Sequence, residues 1–205
     1  MSNPILSAIE ARRTINLFDA SRGLEDAQIH ELVRLATTAP TSFNLQNWRF
    51  IAVRTPEAKQ RLRALAWDQA KVTEAAVTFI ICGQLADHRT IPDRLASSVA
   101  AGFMPQEMVP GWEGAAKSLY FEQPQRQRDE AIRTATFGAG TLIYAAHGLG
   151  LGSSPMIGFD SDAVAEAFEL AADEVPVMLL AVGYPTPENW PQKPRRPLSH
   201  VLSLV

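Results

Sequence analysis

One long helical pattern constrains the fold of this chain more than any other feature. It runs from about Gln125 to His147 and becomes almost wholly apolar and small toward its end. Small side chains reduce the distance at which another helix can pack. Gly148 follows the pattern directly and is placed to end the helix, because glycine readily adopts the conformation of a helix C-terminus. The residues expected to permit the close approach are Ala131, Ala135, Ala139, Gly140, Tyr144 and Ala145.

The rest of the chain alternates helical and strand patterns. Helices are predicted over Pro4 to Ala11, over Glu25 to Thr38, from Thr55-Pro56 onward, and from Asp160 or Ser161 to about Leu170. Strands are predicted over Arg49 to Arg54, up to Cys82, and over Val175 to Val182. No linker or repeat divides the chain, so we expect one α+β domain over residues 1–205, with an excursion of short helices and loop near 83–124.

Composition excludes several classes of protein. The 205 residues carry a net charge of −3 with both signs intermixed, which gives no electrostatic reason to expect a nucleic-acid partner. No apolar run reaches the roughly 18 residues of a membrane span, and the N-terminus lacks a signal-peptide pattern. The single cysteine, Cys82, lies in an apolar run and is expected in the core. We therefore predict a cytoplasmic protein that binds neither membrane nor nucleic acid.

The loop between the second helix and the first strand is unusually polar. Between Pro40 and Trp48 it contains two hydroxyl and three carboxamide side chains, namely Thr41, Ser42, Asn44, Gln46 and Asn47. A simple connection needs turn formers but not so many bidentate hydrogen-bonding groups beside a buried strand. The loop is either a polar turn or one wall of a site for a planar polar ligand, and its residues alone leave both interpretations open.

Three further segments contain more polar or glycine residues than a connection requires. Arg12-Arg13-Thr14-Ile15-Asn16 could hold a phosphate through charge-assisted hydrogen bonds, or could be a solvated helix end. The glycines from Gly148 to Gly158 follow a helix and not a strand, which excludes a dinucleotide-binding fingerprint and leaves a turn beside a ligand. Lys193-Pro194-Arg195-Arg196-Pro197 is either a ligand-binding or a solvated basic segment.

Taken together, these segments resemble the FMN-dependent nitroreductase family, and their order and spacing agree over nearly the whole chain. The matching motifs are Arg12-Arg13-Thr14, the Pro-Thr-Ser-x-Asn-x-Gln-x-Trp loop at 40–48, the Gly-Leu-Gly…Pro-Met-x-Gly-Phe-Asp turn ending at Asp160, Gly183-Tyr184-Pro185, and the terminal Lys-x-Arg-x-Pro-Leu at 193–198. The resemblance implies a mixed central sheet flanked by helices. It also implies a homodimer with long helices at its interface and two FMN sites built from both subunits.

The resemblance also implies roles for particular residues. Arg12, Arg13, Thr14 and Asn16 would face the phosphate, ribityl chain and pyrimidine edge of FMN, and Lys193 and Arg195 would return to the phosphate. Pro40, Thr41, Ser42 and Asn44 would come from the other subunit. Asp68 and Lys71, with Gln69 as an alternative, would lie near the polar edge of the isoalloxazine ring, and backbone groups of Pro155, Met156, Ile157 and Gly158 near flavin N5.

The implied activity is reduction of nitroaromatic, quinone or similar small-molecule acceptors. NADH or NADPH would supply a hydride through flavin N5 in a ping-pong sequence, with no side chain as acid or base and no metal. Phe103, Trp112, Tyr120 and Phe121 are candidates for stacking on the acceptor, or ordinary core aromatics. Asn16 stands where the family usually has a long basic residue. That departure leaves open another reaction on the same flavin (metabolite-specific reduction, dehalogenation or flavin breakdown) and a non-catalytic flavin-binding protein.

Overall fold

A computed structural model describes residues 3–205, which form eight helices, four strands and four short 3₁₀ turns. The helices are α1 Pro4–Ala11, α2 Asp26–Ala36, α3 Pro56–Leu65, α4 Lys71–Glu74, α5 Ile91–Ala100, α6 Val109–Tyr120, α7 Pro124–Gly148 and α8 Ser161–Ala167. The strands are β1 Trp48–Val53, β2 Val77–Gln84, β3 Gly152–Met156 and β4 Glu174–Gly183. The 3₁₀ turns are Ser42–Asn44, His88–Thr90, Gln106–Met108 and Leu198–His200.

The four strands form one sheet in the order β1-β2-β4-β3, and all three ladders are antiparallel. Among the described residues, a parallel pairing is present only as the isolated bridge between Thr14 and Ser153, beside β3. The two central strands are rich in buried apolar residues, as expected for a sheet covered on both faces. The predicted α+β class is confirmed.

Helices cover both faces of the sheet. One core contains Leu32, Phe79, Leu142 and Leu180 and lies under α2 and α7. The second core, on the opposite face, contains Leu62, Ile80, Val164 and Leu179 and lies under α3, α4 and α8. The period-two alternation of strand side chains places neighbouring residues of β2 and β4 in opposite cores.

The small residues of α7 pack mainly against the chain's own sheet. A Cβ atom added at Gly83 of β2 would lie 2.0 Å from the carbonyl oxygen of Ala131, so helix and strand touch backbone to backbone. Ala131, Ala135 and Ala139 are buried in this contact and in the adjoining contact with α2. The expectation that these alanines serve the approach of another helix was therefore incomplete. Among residues 3–205, no helix is long and apolar enough to cross a membrane.

The predicted end of α7 is confirmed, but the prediction for the segment after it was wrong. Gly148 is the last helical residue, and Gly150 just beyond it has the left-handed backbone, at φ +73°. The glycine-rich segment that follows is not a turn throughout, because Gly152–Met156 pairs with β4 as the edge strand β3. Glycine and serine are poor strand formers in sequence statistics, so only the long-range pairing with β4 reveals this strand.

The excursion near 83–124 contains two helices of substantial length, α5 and α6, over a third apolar cluster. This cluster includes Leu45, Ile91, Leu95 and Val109. Tyr120 is 4% exposed within it and Trp112 packs against its edge, so both are core aromatics. Phe103 is 86% exposed, and Phe121 contacts His88 edge-on at 5.7 Å between ring centroids.

Candidate active site

Residues 12–16, which follow α1, form an extended strip along β3. The N–H of Arg12 bonds to Ala8 at the helix end, and the N–H of Ile15 donates to the carbonyl of Ser153 at 2.9 Å. Ile15 is buried against Gly152, where an added Cβ would lie 2.5 Å from Ile15 Cγ1. This fit explains why a glycine begins β3, and it fixes the direction of the strip from Arg12 to Asn16.

Two neighbouring cavities follow from this arrangement. The larger, of about 360 Å³, lies between the strip and the end of α7 and is lined by Arg12, Arg13, His147 and residues 150–153. The smaller, of about 120 Å³, lies between the strip and the C-terminal tail. Its lining includes Thr14, Asn16, Trp190, Lys193 and Arg195. The structure therefore brings together the first and last of the four sequence segments.

The cationic side chains around these cavities are free to bind an anion. Among residues 3–205, Arg12, Arg13, Lys193 and Arg195 form no ion pair with a carboxylate, whereas Arg34, Arg49, Arg63 and Arg89 all do. Four cations without counter-charge beside polar cavities are suited to a phosphate, which accepts several charge-assisted hydrogen bonds.

Lys71 lies close enough to Lys193 to feel its charge. Partial burial lowers the pKa of its ammonium group, and the positive charge of Lys193 lowers the pKa further. An anion placed between the two lysines would relieve this repulsion. Asp68, in contrast, points its carboxylate at Arg63 Nε, 2.7 Å away, on the exposed surface.

The turn between α3 and α4 is coupled to the end of β3. Gln69 donates its side-chain amide to the carbonyl of Gly158 at 2.8 Å. The indole of Trp67 lies against Gly158, where an added Cβ would be 2.7 Å from the ring. Trp67 and Asp68 both have left-handed backbone, at φ +52° and +53°, a strained conformation for such residues. Trp67 and Ile157 are 77% and 82% exposed, so they present a broad apolar surface beside Gly158.

The polar loop at 40–47 is held by its own network, next to the excursion. Thr41 Oγ1 accepts from the N–H of Gln46 at 3.1 Å, and Asn44 donates to the carbonyl of Arg94 at 3.2 Å. Phe43, Asn44 and Gln46 are all left-handed, at φ +50°, +54° and +47°. Three strained non-glycine residues in one loop are typical of a functional site. Residues 42–44 of this loop contact α5 and α6 and Asn47 bonds to Gln84 of β2, whereas Arg12 to Asn16 contact β3 and the tail.

Two residues of the tail, Asn189 and Trp190, lie beside or in the smaller cavity and had no functional signal in the sequence. Asn189 bonds the tail to residues 16 and 17, and Trp190 forms part of the cavity wall. An asparagine in a proline-rich tail usually indicates a local turn. Its partners are 172 and 173 residues away in the chain, so no local pattern indicates them.

Comparison with known proteins defines the class. The Nitroreductase family model matches residues 9–184. Protein DrgA of Synechocystis sp. is 36% identical over 188 residues, covering 92% of this chain and 87% of that protein. A protein of Thermus thermophilus named NADH dehydrogenase is 30% identical over 211 residues, covering 97% and 96%. A nitroreductase-type structure from Exiguobacterium sibiricum in complex with FMN superimposes with a TM-score of 0.90 at 25% identity, covering 100% and 99%.

The chain belongs to the nitroreductase family and is an oxidoreductase of that family. The family resemblance inferred from the ordered motifs and the predicted fold class are both confirmed.

Proposed function

We propose that this protein binds FMN and uses NADH or NADPH to reduce nitroaromatic, quinone or similar small-molecule acceptors. The observation that carries the proposal is the group of four unpaired cations, Arg12, Arg13, Lys193 and Arg195, around the two cavities beside β3. The donors fit FMN, because its phosphate requires cations and its ribityl and pyrimidine groups require neutral polar partners such as Thr14 and Asn16. The FMN complex of the Exiguobacterium protein supports the same cofactor.

Each residue then has a distinct task. FMN, when bound, supplies a ring that accepts a hydride and passes it on. Lys71, near Lys193, offers positive charge at the polar edge of that ring. Gln69 keeps the carbonyl of Gly158 in place, so the backbone of Pro155, Met156, Ile157 and Gly158 can form the wall beside the ring. Asp68 acts through Arg63 on the strained turn and has no direct contact in this proposal.

The second half of the site is proposed to come from a partner subunit. One face of α7 leaves Phe137 and Tyr144 56% and 41% exposed, with open space over Gly140 between them. The apolar residues of α1, Ile5, Leu6 and Ile9, are also exposed. These surfaces support a homodimer in which Pro40, Thr41, Ser42 and Asn44 of one subunit complete the FMN site of the other. We also propose that residues 1–205 form one domain and that the protein acts in the cytoplasm.

An absorbance spectrum before and after anaerobic addition of NADPH or NADH tests the proposal directly. We expect yellow purified protein whose flavin absorbance is bleached by the nicotinamide and restored by a quinone or nitroaromatic acceptor. Colourless protein that does not take up added FMN would refute FMN binding. Bound flavin that neither nicotinamide bleaches would instead favour a non-catalytic flavin protein, and bleaching without turnover of any acceptor in a panel would favour a metabolite-specific reaction.

A charge substitution tests the phosphate role. Arg12→Ala should weaken FMN binding about tenfold or more, since one charge-assisted hydrogen-bonding partner is lost. Arg128→Ala is the matched control, because Arg128 is an exposed arginine on α7 and its loss should leave FMN affinity unchanged. Equal FMN affinity of Arg12→Ala and Arg128→Ala in equilibrium dialysis would remove Arg12 from the site.

A further inference from the structure

The C-terminal tail is hydrogen-bonded to residues 16 and 17 just before the part of it that lines the smaller cavity. After β4, the tail begins beside Leu17, the residue after the strip. The N–H of Thr186 donates to the carbonyl of Leu17 at 3.1 Å. Asn189 makes the next contacts, and beyond it the hydrogen bonds of the described tail are internal, as between Arg195 and the carbonyl of Lys193. Residues 191–205 are exposed throughout. Asn189 is therefore the last polar attachment before the two cations.

The carboxamide of Asn189 uses its full hydrogen-bonding capacity. Its Oδ1 accepts from the N–H groups of Asn16 and Leu17, at 2.7 and 3.0 Å. Its Nδ2 donates to the carbonyls of Leu17 and Thr186, at 2.7 and 3.0 Å. Two acceptor and two donor bonds are all that a primary amide offers in this geometry. If the amide were flipped, its NH₂ group would face two backbone N–H groups, which also donate. This pattern therefore also fixes which side-chain atom is the oxygen and which is the nitrogen.

The attachment determines where the cations of the tail can lie. Lys193 is four residues and Arg195 six residues beyond Asn189, and both line the cavity with Thr14 and Asn16. Lys193 also lies over the ring of Trp190 at 5.8 Å, immediately after the attachment point. An unattached tail would have to be ordered when the phosphate binds, and that ordering costs free energy. An attached tail has already lost this freedom.

We propose that Asn189 is a positioning residue that holds Lys193 and Arg195 over the cofactor phosphate and thereby sets the rate at which FMN leaves. This inference rests on the proposed FMN site. It assigns no catalytic contact to Asn189, whose effect passes through the two cations. Loss of the attachment should therefore weaken cofactor retention without changing turnover when FMN is saturating.

The test compares Asn189→Ala, Lys193→Ala and the double variant, with Ser199→Ala as a control in the exposed end of the tail. Asn189→Ala should raise the FMN dissociation constant about tenfold, mainly through faster dissociation, and Ser199→Ala should not. Because Asn189 acts through Lys193 as well as Arg195, the double variant should lose less affinity than the sum of the two single losses. At saturating FMN, the kcat of Asn189→Ala should equal that of the unmodified protein.

A second measurement does not involve the cofactor. Trypsin should cleave the tail between Arg195 and Arg196 several-fold faster in FMN-free Asn189→Ala than in the FMN-free unmodified protein, whereas Lys193 and Arg196 each precede a proline and resist trypsin. Faster cleavage with unchanged FMN affinity would overturn the inference but leave the proposed function intact. Strictly additive losses of affinity, or unchanged cleavage, would likewise overturn it. Unmodified protein that binds no FMN would refute the proposed function, and the inference with it.

Discussion

The hydroxyl of Ser42 lies 3.1 Å from the hydroxyl of Tyr120, and this contact joins the polar loop to the end of α6. Tyr120 is 4% exposed, and burial raises the pKa of its phenol. The hydrogen bond with Ser42 lowers the pKa and the nearby carboxylate of Glu130 raises it, and the net shift is upward, so the phenol keeps its proton over the physiological range. The left-handed Phe43, which packs edge-on against Tyr120, is held in place by the same anchor.

Tyr120→Phe should therefore loosen the loop while preserving the aromatic core. The ring contact with Phe43 remains, and the lost buried hydrogen bond should lower the free energy of unfolding by about 1 kcal/mol. Ser42→Ala should cost a similar amount. Urea denaturation of both variants and the double variant is the measurement, and the two losses should not add, because they remove one interaction. Additive losses would show that the hydroxyls do not act on each other.

Lys193→Ala should raise the pKa of Lys71. In the folded chain, burial is the main cause of the lowered pKa and the charge of Lys193 is the second. Removing that charge should therefore move the pKa of Lys71 part of the way back toward its ordinary value. NMR titration of labelled lysine side chains measures the change. Lys59 is an internal control, because burial alone lowers its pKa, which should not move in the same variant.

Segments with strong local signals were predicted well from sequence. Thr55 caps α3 by accepting from the N–H of Ala58, and Asp160 caps α8 by accepting from Asp162 and Ala163, as their positions before helical patterns indicate. The helices over Pro4–Ala11 and Pro56–Leu65 follow from the same kind of local information. Residue type and spacing within a few positions are sufficient in these cases.

Features that depend on long-range contacts were not predictable in the same way. Strand β3 is defined by pairing with β4, and the position of the tail by Asn189 bonding to residues 16 and 17. The meeting of Thr14 and Asn16 with Lys193 and Arg195 around one cavity was expected only from the family resemblance, since no local pattern relates residues so distant in sequence. The expected contribution of residues 40–44 to a partner's site remains a prediction, because their contacts within one chain involve only their own loop and the neighbouring α5 and α6.

The thiol of Cys82 should be chemically unreactive in the folded protein, and its ionisation should make the free energy of unfolding depend on pH in the alkaline range. Burial, with a smaller effect of Glu174, raises the pKa of its thiol to about 12, whereas a cysteine thiol in an unfolded chain has a pKa of about 8.5. The stabilisation is therefore complete below that lower value and is lost as the pH rises toward the folded value. Over this interval, the stability of the unmodified protein relative to Cys82→Ala should fall by about 1.4 kcal/mol per pH unit. Denaturation at several pH values measures it, and parallel pH profiles would contradict it.

Gly83 should be the glycine that tolerates substitution least. In Gly83→Ala the new Cβ would lie 2.0 Å from the carbonyl oxygen of Ala131 and 2.8 Å from its Cα, so α7 would have to move away from β2. Because the contacted atoms belong to the backbone of α7 and cannot rotate away, we expect the free energy of unfolding to fall by about 3 kcal/mol, or the protein not to fold. Gly114→Ala is the matched control, since Gly114 lies within α6 with open space around it and alanine should add up to about 1 kcal/mol. Chemical denaturation of the two variants tests the pair, and a Gly83→Ala protein as stable as Gly114→Ala would show that α7 does not rest on β2 at this point.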